Sequence, residues 1–186
     1  LRARCEGCVV VDWNLATPVA VISGTTTPDI DFTLDAGLSL SGTVHQNDTS
    51  TPLVNARVWA GDYFGSGGHG GAETDEDGDY TITGLPPGSY RVEAQADGLV
   101  HKIYDDTTQW HLATIVSITS SDVGGIDFVL ESGGILTGRI YVAGDTTTPI
   151  VGANVNASSY FGTGGWGWAQ SGADGVFTIE GLATGV

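Results

Sequence analysis

The sequence is poor in basic residues and has no methionine. Its 186 residues include one lysine, two cysteines and six basic residues against 22 acidic ones, which gives a formal net charge of −16. A surface this acidic repels the phosphate backbone, so the composition predicts no nucleic-acid partner, although it would attract divalent cations. No apolar run approaches the roughly 18 residues of a membrane span, and no segment has the layout of a signal peptide.

Motifs that would indicate catalysis are also missing. The G-x-S-x-G motif of hydrolases is absent, and none of the four histidines lies in a context typical of a catalytic base. Glycine-rich stretches occur, but none is followed by the Lys-Ser/Thr pair of a phosphate-binding loop. The sequence therefore predicts a protein that is not an enzyme and that requires no cofactor.

The chain does contain an internal repeat. Residues 35–130 form one complete copy, residues 131–186 match its first part, and residues 1–34 match its last part. For example, Gly42-Thr43-Val44 corresponds to Gly138-Arg139-Ile140, and Ile30-Asp31-Phe32 corresponds to Ile126-Asp127-Phe128. Joining Val186 to Leu1 of another copy regenerates the unit, so the sequence reads as one period of a head-to-tail polymer.

Three arrangements would complete the divided copy. Residues 131–186 would be completed by residues 1–34 of another subunit, by the next stretch of one continuous tandem array, or by the chain's own N-terminal segment. The last arrangement is disfavoured, because linkers of about five residues reach at most about 18 Å, too little to pass around an intact domain. The first two stay open.

Alternating apolar and polar residues predict strands throughout. Leu38, Leu40 and Val44 would face a core while Ser39 and Thr43 face solvent. The breaks between such runs carry turn residues, as in Asp77-Gly78 and Asp174-Gly175. Roughly seven short strands per copy at this spacing predict an all-β fold of tandem antiparallel β-sandwiches, one complete and one divided between the chain ends.

The complete copy also has a characteristic set of glycine, proline, acidic and apolar positions: Gly42, Val44, Pro52, Leu53, Ala56, Val58, Thr74, Asp75, Asp77, Gly78, Tyr80, Gly84 to Gly88, Tyr90, Val92 and Gly98. This pattern resembles the carboxypeptidase regulatory-like repeat, in the form found in tandem in large secreted bacterial surface proteins. The resemblance implies a prealbumin-like or Ig-like seven-stranded sandwich that is extracellular and has no catalytic role.

Cys5 and Cys8 form one C-x-x-C pair. No second pair accompanies it, so the spacing favours a local disulfide in an oxidising, extracellular setting over zinc binding. Two buried thiols are the alternative, because Cys5 aligns with Ala94 at an apolar strand position.

Asp75, Asp77 and Asp79 alternate around Gly78. Several carboxylates in one tight loop predict a calcium site, since calcium takes six to eight oxygen ligands. The competing interpretation is a hairpin turn, which uses the same residue types to close the backbone. The second copy has Gly172 and Val176 at two of the three positions, so the site would occur in one copy only.

Glycine-rich loops in both copies carry the aromatic residues Tyr63, Phe64, Tyr160, Phe161, Trp166 and Trp168. Three interpretations stay open: the rings stack on sugars, they anchor a contact with a neighbouring subunit, or they cover the open end of the sandwich. Asn47 and Asn156 begin glycosylation sequons, the first on a predicted loop and the second on a predicted strand.

Together these features predict a structural repeat of an extracellular filament that polymerises with copies of itself. The alternative is an adhesin or carbohydrate-binding accessory module with glycans as partners. Burial of the aromatic loops against another copy would favour the filament, whereas exposure in a groove would favour binding.

Overall fold

Strands account for almost all regular structure in the computed structural model, which describes residues 5–9, 17–47, 50–64, 68–159 and 165–185. In residues 35–130 the strands are β1 (Leu38–Gln46), β2 (Arg57–Asp62), β3 (His69–Glu73), β4 (Asp79–Leu85), β5 (Gly88–Gln95), β6 (Lys102–Ile103), β7 (Val116–Ile118) and β8 (Phe128–Leu130). A 3-10 helix spans Trp110–Leu112. The later strands are β9 (Gly134–Arg139), β10 (Tyr141–Val142), β11 (Asp145–Pro149), β12 (Asn154–Ser158), β13 (Trp166–Gln170) and β14 (Val176–Leu182).

Residues 35–130 form a two-sheet sandwich, which confirms the predicted all-β class. One sheet has the order β4-β1-β8, and the other has the order β3-β2-β5-β6 with β7 also paired to β5. The strand pairs are antiparallel except for β1 and β8, which run parallel with Val44 opposite Phe128.

The core lies between these sheets and follows the predicted alternation. Leu40, Val44 and Ile82 of the first sheet are buried with Val58 and Val92 of the second. Two buried tyrosines find acceptors for their hydroxyl groups, as a buried polar atom requires. Tyr80 donates to the Ile126 carbonyl at 2.6 Å, and Tyr90 donates to the Pro86 carbonyl at 2.6 Å.

Residues 131–185 repeat part of this architecture. Strand β9 pairs with β14 and places Leu136 opposite Ile179, as Leu40 lies opposite Ile82. Strand β12 pairs with β13, as β2 pairs with β3. In the complete copy β1 and β2 each have a further neighbour, β8 and β5 respectively, whereas β9 and β12 have one neighbour each among the described residues.

The two copies meet at short linkers. Strand β8 ends at Leu130 and β9 begins at Gly134.

The N-terminal segment differs from both copies, since residues 17–34 form no strand and are almost entirely exposed. The division of the chain into residues 1–34, 35–130 and 131–186 stays a prediction.

Candidate interaction surfaces

The second copy exposes side chains whose counterparts in the first copy form the core. Leu136 is 44% exposed, whereas Leu40 at the matching position is fully buried. Val155, Phe177 and Leu182 are half-buried, whereas the matching Val58, Tyr80 and Leu85 are buried. We call Leu136, Val155, Phe177 and Leu182 the open core face. Among the described residues of this copy, no strand pairs with β9 and β12 as β8 and β5 pair with β1 and β2, which leaves this face open.

The N-terminal segment shows the complementary feature. Val19, Val21, Ile30 and Phe32, which we call the N-terminal apolar stripe, are exposed, and Phe32 keeps 48% of its surface. Their counterparts Val116, Ile118, Ile126 and Phe128 are buried, Phe128 to 4% exposure. The same residue types are therefore exposed in one place and form core in the other.

A glycine shows how the missing segment changes local packing. In the first copy the Ile126 backbone lies so close to Gly42 that a Cβ there would be 2.0 Å from the Ile126 carbonyl oxygen. At the matching Gly138, the nearest atoms to such a Cβ belong to the Phe177 ring, at 2.7 Å. The Phe177 side chain thus lies over the glycine that a backbone segment covers in the complete copy.

A second exposed surface lies on the β12–β13 hairpin. Trp166 and Trp168 are 65% and 59% exposed and lie on one face of β13. They are opposite Ser158 and Asn156 of β12. The hairpin therefore presents two indole rings beside polar side chains, a surface able to stack on a sugar ring or to anchor a protein contact.

The first copy carries an aromatic pair at the equivalent place. The Trp59 ring stacks on the His69 ring with centroids 5.6 Å apart, and Trp59 is 47% exposed. Trp59 was not among the predicted surface aromatics, although its alternation with the buried Val58 and Ala60 along β2 indicates an outward-facing side chain. Both copies thus present aromatic rings on this hairpin, although the residues differ.

The remaining predicted aromatics differ from one another. Tyr63 and Phe64 are exposed and contact each other edge to face at 5.0 Å. The centre of the Tyr63 ring also lies 4.9 Å from the guanidinium carbon of Arg91, so this ring makes a contact within its own domain. Tyr160 and Phe161 lie outside the described residues.

The acidic loop between β3 and β4 is organised as a turn. One carboxylate oxygen of Asp75 accepts the backbone N–H groups of Asp77 and Asp79, each at 3.0 Å. Gly78 adopts a φ of +79°, which favours glycine. Within the described ranges no group of three His, Cys, Asp or Glu side chains is arranged to hold a metal. The calcium site stays a prediction, and the turn accounts for the position of Asp75.

Cys5 and Cys8 form a disulfide in the structure. Asn47 is exposed, but its side-chain oxygen accepts the backbone N–H of Ser132 at 2.9 Å. Asn156 is exposed on β12 opposite Trp168. Glycosylation at either asparagine stays a prediction.

The sequence of the complete copy matches the model of one protein family. The carboxypeptidase regulatory-like domain matches residues 39–131. The chain belongs to this family. No curated protein matches the sequence.

Three solved structures of bacterial proteins are similar to this carboxypeptidase regulatory-like chain. The TIE protein of Bacillus anthracis is 15% identical with a TM-score of 0.39, over 81% of this chain and 27% of that one. A streptococcal ancillary pilin is 18% identical with a TM-score of 0.38, over 82% and 53%. A putative adhesin from Bacteroides ovatus is 14% identical with a TM-score of 0.36, over 89% and 72%. The chain spans less than two thirds of the first two proteins, and TM-scores this low do not identify a shared function.

Electrostatic shifts in this carboxypeptidase regulatory-like chain occur at structural positions. Burial raises the pKa of Tyr90 to about 12, with a further contribution from Asp62. Burial followed by the charge of Asp127 raises the pKa of Tyr80 well above its ordinary value. Burial alone would lower the pKa of Lys102, but its hydrogen bond and ion pair with Asp106 and its contact with Glu131 outweigh burial and raise it. No helix in the described part of the chain is long and apolar enough to cross a membrane.

Proposed function

We propose that this chain is a structural repeat of an extracellular filament in which each divided sandwich is completed by a neighbouring repeat. One observation supports this above all: the open core face is half-buried to exposed and the N-terminal apolar stripe is exposed, whereas the same positions are buried together in residues 35–130. Removing a Leu or Phe side chain from water is worth about 1.5–3 kcal/mol. Matched exposed surfaces of this kind favour association in register.

Backbone edges support the same conclusion. An unpaired strand edge presents N–H and C=O groups that readily accept another strand. Within the described residues, β9 lacks the neighbour that β8 provides for β1, and β12 lacks the neighbour that β5 provides for β2. A contact of this kind is head-to-tail, and its repetition generates a filament where the rotation between subunits does not close a ring. The completing strands come from another chain or from the next stretch of one tandem array.

A rearranged chain tests the proposal. In this permutant, residues 1–34 are moved behind residue 186, so that both halves of the divided copy become adjacent in sequence. Sedimentation velocity over a range of concentrations should show that the natural order self-associates while the permutant stays monomeric. A natural-order chain that remains monomeric with a stable fold would contradict the proposal. The mass of the denatured protein from its source then separates the two routes, because one continuous tandem array has a mass many times the 19.1 kDa of this stretch.

Carbohydrate binding by a surface adhesin or accessory module is the second candidate function. It is favoured by the exposure of Trp166 and Trp168 on one strand face next to Asn156. Aromatic rings beside amides suit a sugar, which has an apolar face and hydroxyl groups at its edge. A glycan array probed with the permutant, and with its W166A/W168A variant as control, tests it. Glycan binding that the double substitution abolishes would support this function. If the permutant binds no glycan, the filament is the only one of the two candidate functions that remains.

A further inference from the structure

The contact between successive copies occurs twice in this chain, with the same geometry. At the first joint, residues 7–9 lie beside residues 35–37, with Cys8 bridged to Ala36 in antiparallel fashion. The Val9 N–H donates to the Asp35 carbonyl at 3.0 Å, and the Gly37 N–H donates to the Gly7 carbonyl at 2.8 Å. The Cys5–Cys8 disulfide closes the turn that enters this joint.

The second joint has the same hydrogen bonds. Leu99 is bridged to Ser132 in antiparallel fashion. The Val100 N–H donates to the Glu131 carbonyl at 2.8 Å, and the Gly133 N–H donates to the Gly98 carbonyl at 3.0 Å. The end of one copy thus pairs with the linker that leads into the next copy, at both joints.

Glycines bring the following copy against each joint. A Cβ at Gly37 would lie 2.3 Å from the Gly84 Cα, and a Cβ at Gly133 would lie 2.3 Å from the Gly181 Cα. On the other side, a Cβ at Gly84 would lie 2.7 Å from the Cys8 carbonyl oxygen, and one at Gly181 would lie 2.5 Å from that of Leu99. Three backbone segments are therefore in direct contact, with no side chain between them.

We infer that this joint is a rigid interface that recurs at each step, so that tandem copies form a stiff rod with a constant angle between neighbours. Backbone has only two soft dihedral angles per residue, and paired backbone held by close packing leaves little freedom to bend. The second joint has additional contacts. The Asn47 side-chain oxygen accepts the Ser132 N–H at 2.9 Å, and the Lys102 ammonium lies 3.4 Å from Glu131.

Both joints lie within a single chain, so their stiffness does not depend on polymerisation. Only the role given to that stiffness rests on the proposed function. Its partner is a further copy of the same repeat, which brings a linker and a glycine-bearing hairpin to the joint. A filament built this way would hold whatever lies at its end at a fixed distance. Polymerisation could fail while the joint remains rigid, and the following experiment measures only the joint.

Spin labels on the full chain test the inference. Glu76→Cys and Ala173→Cys place labels at matching exposed turns of the two copies, and the native cysteines are joined to each other. Labelled chain is diluted into excess unlabelled chain, so that distances within one molecule dominate. Double electron–electron resonance should give a single narrow distribution of distances between the two labels. The Gly133→Ala variant should broaden it, because the new Cβ meets the Gly181 backbone.

A control variant and a second loosening variant complete the test. Gly134→Ala adds the same methyl group one residue later, where the nearest atom is 3.4 Å away, and should leave the distribution narrow. Asn47→Gly removes the bond to Ser132 and suits the φ of 58° at this position, so it should loosen the joint without strain in the backbone. Hydrogen exchange should show that the amides of Val100 and of residue 133, each corrected for its intrinsic exchange rate, lose protection roughly tenfold or more in Gly133→Ala while β1 and β4 amides keep theirs. Two results would overturn the inference. One is a broad distance distribution in the unsubstituted chain, and the other is a Gly133→Ala variant whose distance distribution and amide protection equal those of Gly134→Ala.

Discussion

The guanidinium carbon of Arg91 lies 3.5 Å from the centre of the Trp110 ring. The Tyr63 ring is 4.9 Å from the same carbon, and Arg91 is only 9% exposed. Its buried Nε has no hydrogen-bond partner among the described residues. Two aromatic faces thus lie against this cation, and each attracts it by about 0.5–2 kcal/mol, depending on desolvation.

Trp110→Ala should lower the free energy of unfolding by about 1–2 kcal/mol, because it removes the nearer ring from Arg91. Trp166→Ala is the matched control, since Trp110 and Trp166 are 59% and 65% exposed. A surface substitution without such a contact changes stability by less than about 0.5 kcal/mol. Urea unfolding of both variants measures the difference, and equal values would show that the cation–ring contact contributes nothing.

The protein should lose stability between about pH 10 and pH 12. The folded state raises the pKa of Tyr90 from 10.0 to about 12, so its contribution is fully present below pH 10 and is lost as the pH rises toward 12. Two pKa units correspond to about 2–3 kcal/mol. Tyr80 and Lys102 also have raised pKa values, and they act in the same direction.

Tyr90→Phe should flatten this alkaline decline, although it also removes the hydrogen bond to Pro86 and so lowers stability at neutral pH. Tyr63→Phe removes an exposed hydroxyl and serves as the control. Thermal melts at several pH values between 8 and 12 measure the slope. A Tyr90→Phe slope equal to that of the control would show that the buried hydroxyl does not govern alkaline unfolding.

Much of the fold could be predicted, because alternation and turn residues are local signals. The run around Leu40 and Val44 became β1, and Asp77-Gly78 became the turn before β4. The parallel pairing of β1 with β8 could not be predicted, since Val44 and Phe128 lie far apart in sequence and their pairing depends on the path of the whole chain.

The surfaces were predictable only in part. Trp166 and Trp168 alternate along a strand, so their common face follows from the sequence. The joint did not follow, although Gly37 and Gly84 align with Gly133 and Gly181, because close approach between distant glycines is a property of the packed backbone. The stack of Arg91 on Trp110 was missed for the same reason, since β5 and the 3-10 helix meet only in the folded domain.

Asp75→Ala should destabilise the first copy by about 1 kcal/mol, because two backbone N–H groups lose their acceptor. Differential scanning fluorimetry with calcium and with a chelator measures the effect. A turn role predicts the same loss in both conditions. Stabilisation of the unsubstituted chain by calcium that disappears in Asp77→Ala would instead support the predicted ion site.

Leu40→Ala and Leu136→Ala form a matched pair for the divided sandwich. Leu40 is fully buried, so its truncation should cost about 2–5 kcal/mol of folding free energy. Leu136 is 44% exposed in the separate chain, so its truncation should cost about half as much there. In the permutant, where residues 1–34 follow residue 186, Leu136 should be covered, and the cost should rise toward that of Leu40.

Urea unfolding of both variants in both chain orders measures these costs, with Leu40→Ala expected to cost the same in either order, and sedimentation gives the association of the natural-order chain. Leu136→Ala should weaken that association several-fold, because the 44% of Leu136 that is still exposed would become buried, a share of the about 1.5–3 kcal/mol for burying a whole leucine side chain. Leu40→Ala, whose side chain lies inside the first copy, should leave association unchanged at concentrations of urea that keep it folded. A Leu136→Ala cost that does not depend on chain order would mean that residues 1–34 do not cover the open core face.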